Sequence, residues 1–316
     1  MRFAVDPWDP SYGTSLDSER GESAAQVGLD VELPSAEWQP IDPDPAAVAP
    51  DAVLFVDGVR RVDAQLWVED GSPESAPALC ASYAAGVVCC CRDGGAHLLA
   101  ADVRRGLFTT ADSADDVRTA AGTYRVSRTA PHPDVAPAQL LSLALQRELA
   151  DTELAAAAAA RTGHEAADDL LVVDGPLRGR QHLPRAIGFV KTHRSEYLPP
   201  QLGGVVAMLR TGQRTPVFRL GSSWERHTWY LRLPCRPGAP WAGIVRVECS
   251  ADLPAAEAVA HAARSQATLP RFASTEYKDS RAPQNLYPIA GLERELRRRL
   301  GEPNLLYRAL RRAAAA

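Results

Sequence analysis

Along the chain, short apolar runs that end on Asp-Gly or Gly alternate with longer segments whose apolar positions recur every three to four residues. Residues 1–50 follow neither period. Their few apolar residues are scattered among Pro, Ser and acids, and IDPDPAAVAP closes the stretch, which predicts an acidic arm, partly extended, with Trp8, Tyr12 and Trp38 as points where it docks on the body or on a second subunit. Residues 51–316 read as one domain. AVLFVDG (52–58) is apolar and β-branched and ends in Asp-Gly, which predicts a buried strand that stops at a sharp turn. VRRVDAQLWVED alternates loosely, ASYAAGVVCCC is apolar throughout, and HLLAADVRRGLFTT is again β-like, so a three-strand meander is expected. PDVAPAQLLSLALQRELADTELAAAAAAR then predicts a long helix, with Leu141, Leu145 and Leu149 at four-residue steps on one face.

DDLLVVDGPL predicts a second buried strand ending in Asp-Gly, and AIGFVKTHR a strand with a polar end. TPVFRLG, TWYLRLP and AGIVRVECS are three more strand candidates, which extend the same sheet or form an appended one. LPAAEAVAHAARSQA and the stretch Ala290 to Leu300 are expected as helices, the second strongly basic. The class is therefore α/β, with a mixed sheet and C-terminal helices.

Charge refines this picture. The net charge of −4 argues against a uniformly basic surface, but its distribution is uneven: residues 1–51 carry eleven acids against Arg2 and Arg20, and residues 271–316 carry ten bases against five acids. A near-neutral total can thus hide a basic face suited to a phosphate backbone. No run of 18 apolar residues occurs and MRFAVDPWDP lacks a signal-peptide pattern, so a cytoplasmic protein with no membrane partner is expected. The six cysteines include no CxxC pair, which makes reduced core thiols the expectation over a zinc site.

The candidate chemistry lies in the repeated aspartates. FVDG (55–58) and VVDG (172–175) each deliver a carboxylate at the end of an apolar run, where an unpaired charge is costly and a divalent cation compensates it. An Asp-Gly pair also makes an ordinary turn, Asp capping its own backbone. The βββαβ order, however, allows the first strand and the strand after the helix to be neighbours, which would set Asp57 beside Asp174. The helix between them offers Glu148 as a third ligand, with Glu153 its competitor about 140° around the axis. Strand aspartate, helix glutamate, strand aspartate is the order that RNase H-like nucleases use. Two divalent ions held about 4 Å apart by such carboxylates can hydrolyse a phosphodiester without a side-chain nucleophile, and neither GxSxG nor a P-loop is present.

Around this set, Lys191 and Arg194 follow a strand in GFVKTHR and suit phosphate contact, with His193 as a polar loop residue. Arg178, Arg180 and Arg185 in PLRGRQHLPR would line a nucleic-acid path or an exposed solubilising loop. ASTEYKDSRAPQNLYP predicts a functional loop carrying Tyr277, Lys278 and Arg281. Arg232 and Arg246 alternate with apolar neighbours and would present a charged sheet face, while Trp229 and Trp241 suit a core or an interface.

FVDG, VVDGPL followed by IGFVKTHR, WYLRL, AGIVRVE and EYKDSRAPQNLYPIAGLERELRRRLG together resemble the NurA-domain nucleases in their bacterial form, over roughly residues 50–310. The resemblance implies an RNase H-like mixed sheet (a three-strand meander, a helix, further parallel strands), with additional strands and C-terminal helices. It also implies a homodimer, Mn²⁺-dependent (or Mg²⁺-dependent) exo- and endonuclease action on DNA, and partnership with a HerA-type hexameric ATPase in DNA-end resection and double-strand break repair. By the resemblance Asp57 and Asp174 match metal-binding aspartates and Glu148 the helix acid. Tyr287 matches a tyrosine near the metals, and Glu295 stands where the family commonly has a histidine, so that either a carboxylate takes over ligation there or the alignment is shifted and activity altered. The alternatives are a scaffold or nucleic-acid-binding protein of the same fold that has lost cleavage, and a sugar-phosphate or nucleotide hydrolase, against which the basic C-terminal helix speaks.

Overall fold

The computed structural model describes residues 21–22, 25–69, 75–92, 94–162, 168–193, 195–236, 238 and 240–315. Its strands in chain order are β1 (Gly21–Glu22), β2 (Gln26–Gly28), β3 (Ala52–Val68), β4 (Ala76–Cys91), β5 (Gly95–Thr109), β6 (Val117–Thr119), β7 (Gly122–Arg128), β8 (Asp169–Asp174), β9 (Ala186–Val190), β10 (Ser195–Glu196), β11 (Phe218–Gly221), β12 (Glu225–Arg232) and β13 (Ile244–Ser250). The helices are α1 (Pro137–Thr162), α2 (Pro200–Met208), α3 (Ala255–Thr268), α4 (Tyr287–Arg299) and α5 (Pro303–Ala313). This is a mixed α/β architecture whose large sheet combines parallel pairs, β8 with β9 and β5 with β7, with antiparallel ones.

Two compact units divide the chain. The first holds the described residues within Met1–Phe55, Cys89–Ala96 and Ala166–Ala290. Its strand order is β2-β11-β12-β13-β9-β8, and the three strands read from TPVFRLG, TWYLRLP and AGIVRVECS continue one sheet. β8 and β9 pair in parallel with Asp174 opposite Phe189, while β9, β13, β12 and β11 run antiparallel in turn. Both β8 and β9 are buried along almost their whole length, as expected of strands covered on two faces. Trp38, Val205, Val206, Leu209, Phe218 and Tyr230 form part of one core cluster. The described part of the acidic stretch belongs to this unit: Glu32 grips buried Arg214 through both carboxylate oxygens, at 2.6 and 2.7 Å, and Trp38 packs on Phe218. Trp8 and Tyr12 lie outside the described residues.

The second unit holds Val56–Val88, His97–Glu165 and Gly291–Ala316, again as far as described. From β3 the order is β4, β5, β7, β6, so the meander is present, with the short strands β6 and β7 added where only a spacer is expected from the sequence. Leu141, Leu145 and Leu149 of α1 pack on Leu79, Ala81, Tyr83 and Phe108, as the four-residue spacing predicts. Leu292, Leu296 and Leu300 pack on Val59 and Ala84, and the bases Arg297, Arg298 and Arg299 fill the last turn of α4, where they complement its dipole. A further helix, α5, starts on Glu302, whose side chain accepts the Leu305 amide.

Two expectations need correction. β3 does not stop at Asp57-Gly58; it runs on to Val68 in a single strand. Gly58 has no positive φ, and a Cβ there would lie 2.7 Å from Leu149 Cδ1 and closer still to Glu153 Oε1, so this glycine serves a close approach of α1 and makes no turn. After Asp174 the turn does form, with Gly175 at φ 105°. Arg246 and Arg232 do not present a charged sheet face either. Arg246 is buried against Glu248 at 2.6 Å with its guanidinium 5.2 Å from the Tyr197 ring centre, and Arg232 donates to the Ala242 carbonyl. Among the described residues, no helix is long and apolar enough to cross a membrane.

Candidate metal centre

β8 carries Asp174 to its C-terminal tip because DLLVVD is apolar up to its last residue and the glycine that follows ends the strand. β9, paired in parallel with β8, ends one residue before Lys191. The Lys191 ammonium donates to Asp174 Oδ2 at 2.6 Å and to Asn285 Oδ1 at 3.0 Å. Fully buried Asn285 in turn donates through Nδ2 to Asp279 Oδ2 at 2.7 Å, and Asp279 Oδ1 accepts the Arg281 amide at 2.8 Å. Asp174 is thus tied by a relay of charge-assisted bonds to the loop before α4.

The backbone after Asp174 is also anchored. The Leu177 amide donates to Glu248 Oε1 at 2.8 Å, and the Gly175 amide to the Phe189 carbonyl at 2.9 Å. Fully buried Glu248 is neutralised by Arg246 and by Arg226, whose Nε lies 3.3 Å from Oε2. Burial, and then the neighbouring Arg246, pull the Arg226 guanidinium below its ordinary range.

Asp57 lies in the interior of β3, 8% exposed, and its Oδ1 accepts the Gly58 amide at 2.7 Å. Within the second unit, Asp57 and Glu293 each offer a carboxylate oxygen, and these atoms lie within 4.8 Å of one another. Hard, anionic oxygen donors at such spacing suit a magnesium- or manganese-class cation. The donor set therefore fits a divalent metal.

The structure sorts the other candidates. Glu148 is not in this acidic group: it accepts from the Tyr83 hydroxyl at a long 3.5 Å and lines a cavity of about 510 Å³ with Arg104, Arg105 and Arg125. Burial and then Glu148 push the Tyr83 phenol up to about 12. The α1 acid nearest the Asp57-Gly58 backbone is buried Glu153, because the rotation of the helix turns that face to the strand. Glu295 is not in the group either. It pairs with Arg298 at 2.8 Å and Arg299 at 2.7 Å, and hydrogen bonds from these two hold its carboxyl down at about 2. Glu293, two residues earlier and so on another face of α4, takes the place beside Asp57.

Tyr287 opens α4 with its hydroxyl 2.7 Å from Thr275 Oγ1. Lys278 is exposed, whereas Arg281 is largely covered, its Nε 3.7 Å from Asp279 Oδ1. Arg178 is exposed, Arg180 donates to the Pro176 carbonyl at 3.3 Å, and Arg194 lies outside the described residues. His193 Nε2 lies 3.0 Å from the Ile244 carbonyl and its ring packs on Trp241, while Trp229 is fully buried and donates to Ser265.

Glu293, Asn285 and Glu248 escape sequence reasoning, and Glu153 enters it only as the competitor of Glu148. Glu293 and Glu153 look like ordinary solvated helix acids in a charged or alanine-rich segment, and nothing local distinguishes them from Glu295 and Glu148. All six cysteines are free, and burial pushes the Cys80 and Cys249 thiols up to about 12, consistent with unreactive core thiols.

With this geometry in place, comparison with known proteins gives one family: the NurA domain matches residues 52–298, the bulk of the chain. No curated protein matches it.

Proposed function

Because the chain belongs to the NurA domain family, a family of nucleases, we propose that it is a divalent-metal-dependent deoxyribonuclease on an RNase H-like sheet, cleaving DNA both from ends and internally. The observation that carries this reading is the approach of the Asp57 and Glu293 carboxylate oxygens to within 4.8 Å in the second unit, beside the strand-tip carboxylate of Asp174 that the family reading adds. Those three residues would hold Mn²⁺ or Mg²⁺, with Glu153 of α1 the next carboxylate along. A cation bound there supplies Lewis-acid stabilisation of the charge that builds on the phosphodiester.

The remaining work falls to the protein. Lys191, held by Asp174 and Asn285, keeps an ammonium fixed at the carboxylate edge, where it favours an anionic phosphate and orients Asp174 Oδ2. The Glu248–Leu177 bond keeps the strand tip from swinging away. A scaffold that no longer cleaves has no reason to gather the Asp57 and Glu293 carboxylates, which favours the enzyme over that alternative.

By the same family reading the enzyme acts as a homodimer, with a HerA-type hexameric ATPase that feeds DNA to it during end resection and double-strand break repair. Labelled linear DNA with Mn²⁺ tests the chemistry: Asp57→Ala and Asp174→Ala should each lose more than the roughly 10–100-fold typical of outer-shell changes at metal sites. Activity equal to wild type in both variants would remove the site. Sedimentation of the wild-type chain, alone and with the ATPase, tests the assembly.

A further inference from the structure

Residues 273–286, between the short turn Leu269–Phe272 and α4, have two kinds of side chain. Asn285 and Asp279 belong to the relay that reaches Lys191 and Asp174. Tyr277, in the same loop, is 82% exposed, more than any other large hydrophobic side chain of the described residues. Its ring is nonetheless placed. The Lys278 ammonium lies 5.4 Å from the centre of the Tyr277 ring and 5.5 Å from that of Tyr287, and the Thr275 carbonyl accepts the Lys278 amide at 2.9 Å. Tyr287 is itself fixed through its hydroxyl to Thr275. Beside Tyr277 lies a cavity of about 450 Å³ whose wall includes Pro234, Arg236, Ser274 and Thr275. The Arg236 side chain is 87% exposed, its Nε 4.0 Å from Glu276.

An aromatic ring left in water, a lysine and an arginine beside it, and a recess of nucleoside size form the composition that holds single-stranded nucleic acid, in which the ring stacks on a base and the cations follow the phosphates. A base-paired duplex keeps its base faces covered by their neighbours, so such a platform selects an unpaired nucleotide. We infer that Tyr277 is a stacking platform for an unpaired base of the strand that reaches Asp174, with Lys278 and Arg236 holding the flanking phosphates. The inference rests on the nuclease reading for what happens to that strand, but the binding it describes needs no cleavage.

The test is fluorescence anisotropy in EDTA with the full chain, using a labelled oligothymidylate and a blunt duplex, alongside Mn²⁺ cleavage of the oligothymidylate. Tyr277→Ala should weaken single-strand binding about tenfold, within the range for loss of one stacked base, and change duplex binding less than about twofold. Tyr277→Phe should bind as wild type, since it keeps the ring. The side chain is on the surface, so neither change threatens folding. Unaltered single-strand affinity in Tyr277→Ala, an equal loss for both DNAs, or no single-strand binding by wild type would each overturn the inference. Tyr277-dependent binding without cleavage by wild type would instead sink the nuclease reading and leave the platform standing.

Discussion

Glu248 offers the most quantitative test of how the fold supports the centre. It is fully buried, and its carboxylate takes the Leu177 amide at 2.8 Å, Arg246 Nη1 at 2.6 Å and Arg226 Nε at 3.3 Å. Glu248→Ala removes the counter-charge of two buried guanidinium groups and the acceptor of a buried amide. Breaking a buried ion pair from one side costs about 3–5 kcal/mol, and an unsatisfied buried amide about 1–3 kcal/mol. The two losses share one carboxylate and do not add in full, so about 4 kcal/mol is expected. Urea unfolding followed by tryptophan fluorescence measures it: with a slope of roughly 2–3 kcal/mol/M for a chain of this size, the midpoint should fall by more than 1 M. Because the Leu177 amide lies three residues beyond Asp174, the nuclease rate should also fall where the variant is still folded. Glu248→Gln, which keeps an oxygen for that amide, should be intermediate in rate. A loss of stability below about 1 kcal/mol in Glu248→Ala would refute the claim that this carboxylate holds the network together.

Four further outcomes follow from the same structure. Glu293→Gln should reduce Mn²⁺-dependent cleavage by more than about tenfold, while Glu295→Gln, which disturbs only exposed arginine pairs of small energetic weight, should stay within about twofold; equal effects would contradict the assignment of the α4 acid. Glu153→Ala should impair cleavage more than Glu148→Ala, and the reverse order in a steady-state assay would restore the 148 position as the helix acid. Gly58→Ala should destabilise by roughly 1–3 kcal/mol through overpacking against Leu149 and Glu153, as read from its melting temperature. The thiols of Cys80, Cys89 and Cys249 are raised from 9.0 to about 12 in the folded chain, so they bind protons more tightly there than when unfolded. Their contribution to stability is complete below pH 9 and is lost as pH rises from about 9 towards 12; a urea midpoint that rose across that window would show the sign to be wrong.

What the amino-acid order determines here is what local interactions encode. Leu141, Leu145 and Leu149 recur at a helical step and form the buried stripe of α1; LLVV and AIGFV are apolar without alternation and become strands buried on both faces. The placing of Asp57 and Asp174 at apolar strands, and the adjacency of the first strand and the strand after the helix, are legible for the same reason: β-branched runs and the order of elements restrict where strands go. The Asp-Gly pairs carry less information. The same dipeptide is a turn at Asp174-Gly175, where the backbone reverses its φ, and a stretch of unbroken strand at Asp57-Gly58, where the missing Cβ admits α1. Which of these applies depends on what packs above the residue.

Only the tertiary structure decides which helix acids meet Asp57 and its neighbour Gly58. Five positions along α1 rotate a side chain by about 140°, so Glu148 and Glu153 point to different environments, and two positions along α4 separate Glu293 from Glu295. A helix has no preferred rotation until its apolar face is packed, and the exposed and the inward acid are chemically identical before that happens. Arg246 shows the same limit in a strand: period-two alternation marks it as facing away from its apolar neighbours, but whether that face meets water or the Tyr197 ring and Glu248 is set by a segment some fifty residues away. Periodicity is a property of a few consecutive residues, whereas the convergence of carboxylates from positions 57 and 293 exists only once strands and helices far apart in the chain have fixed one another's register and rotation.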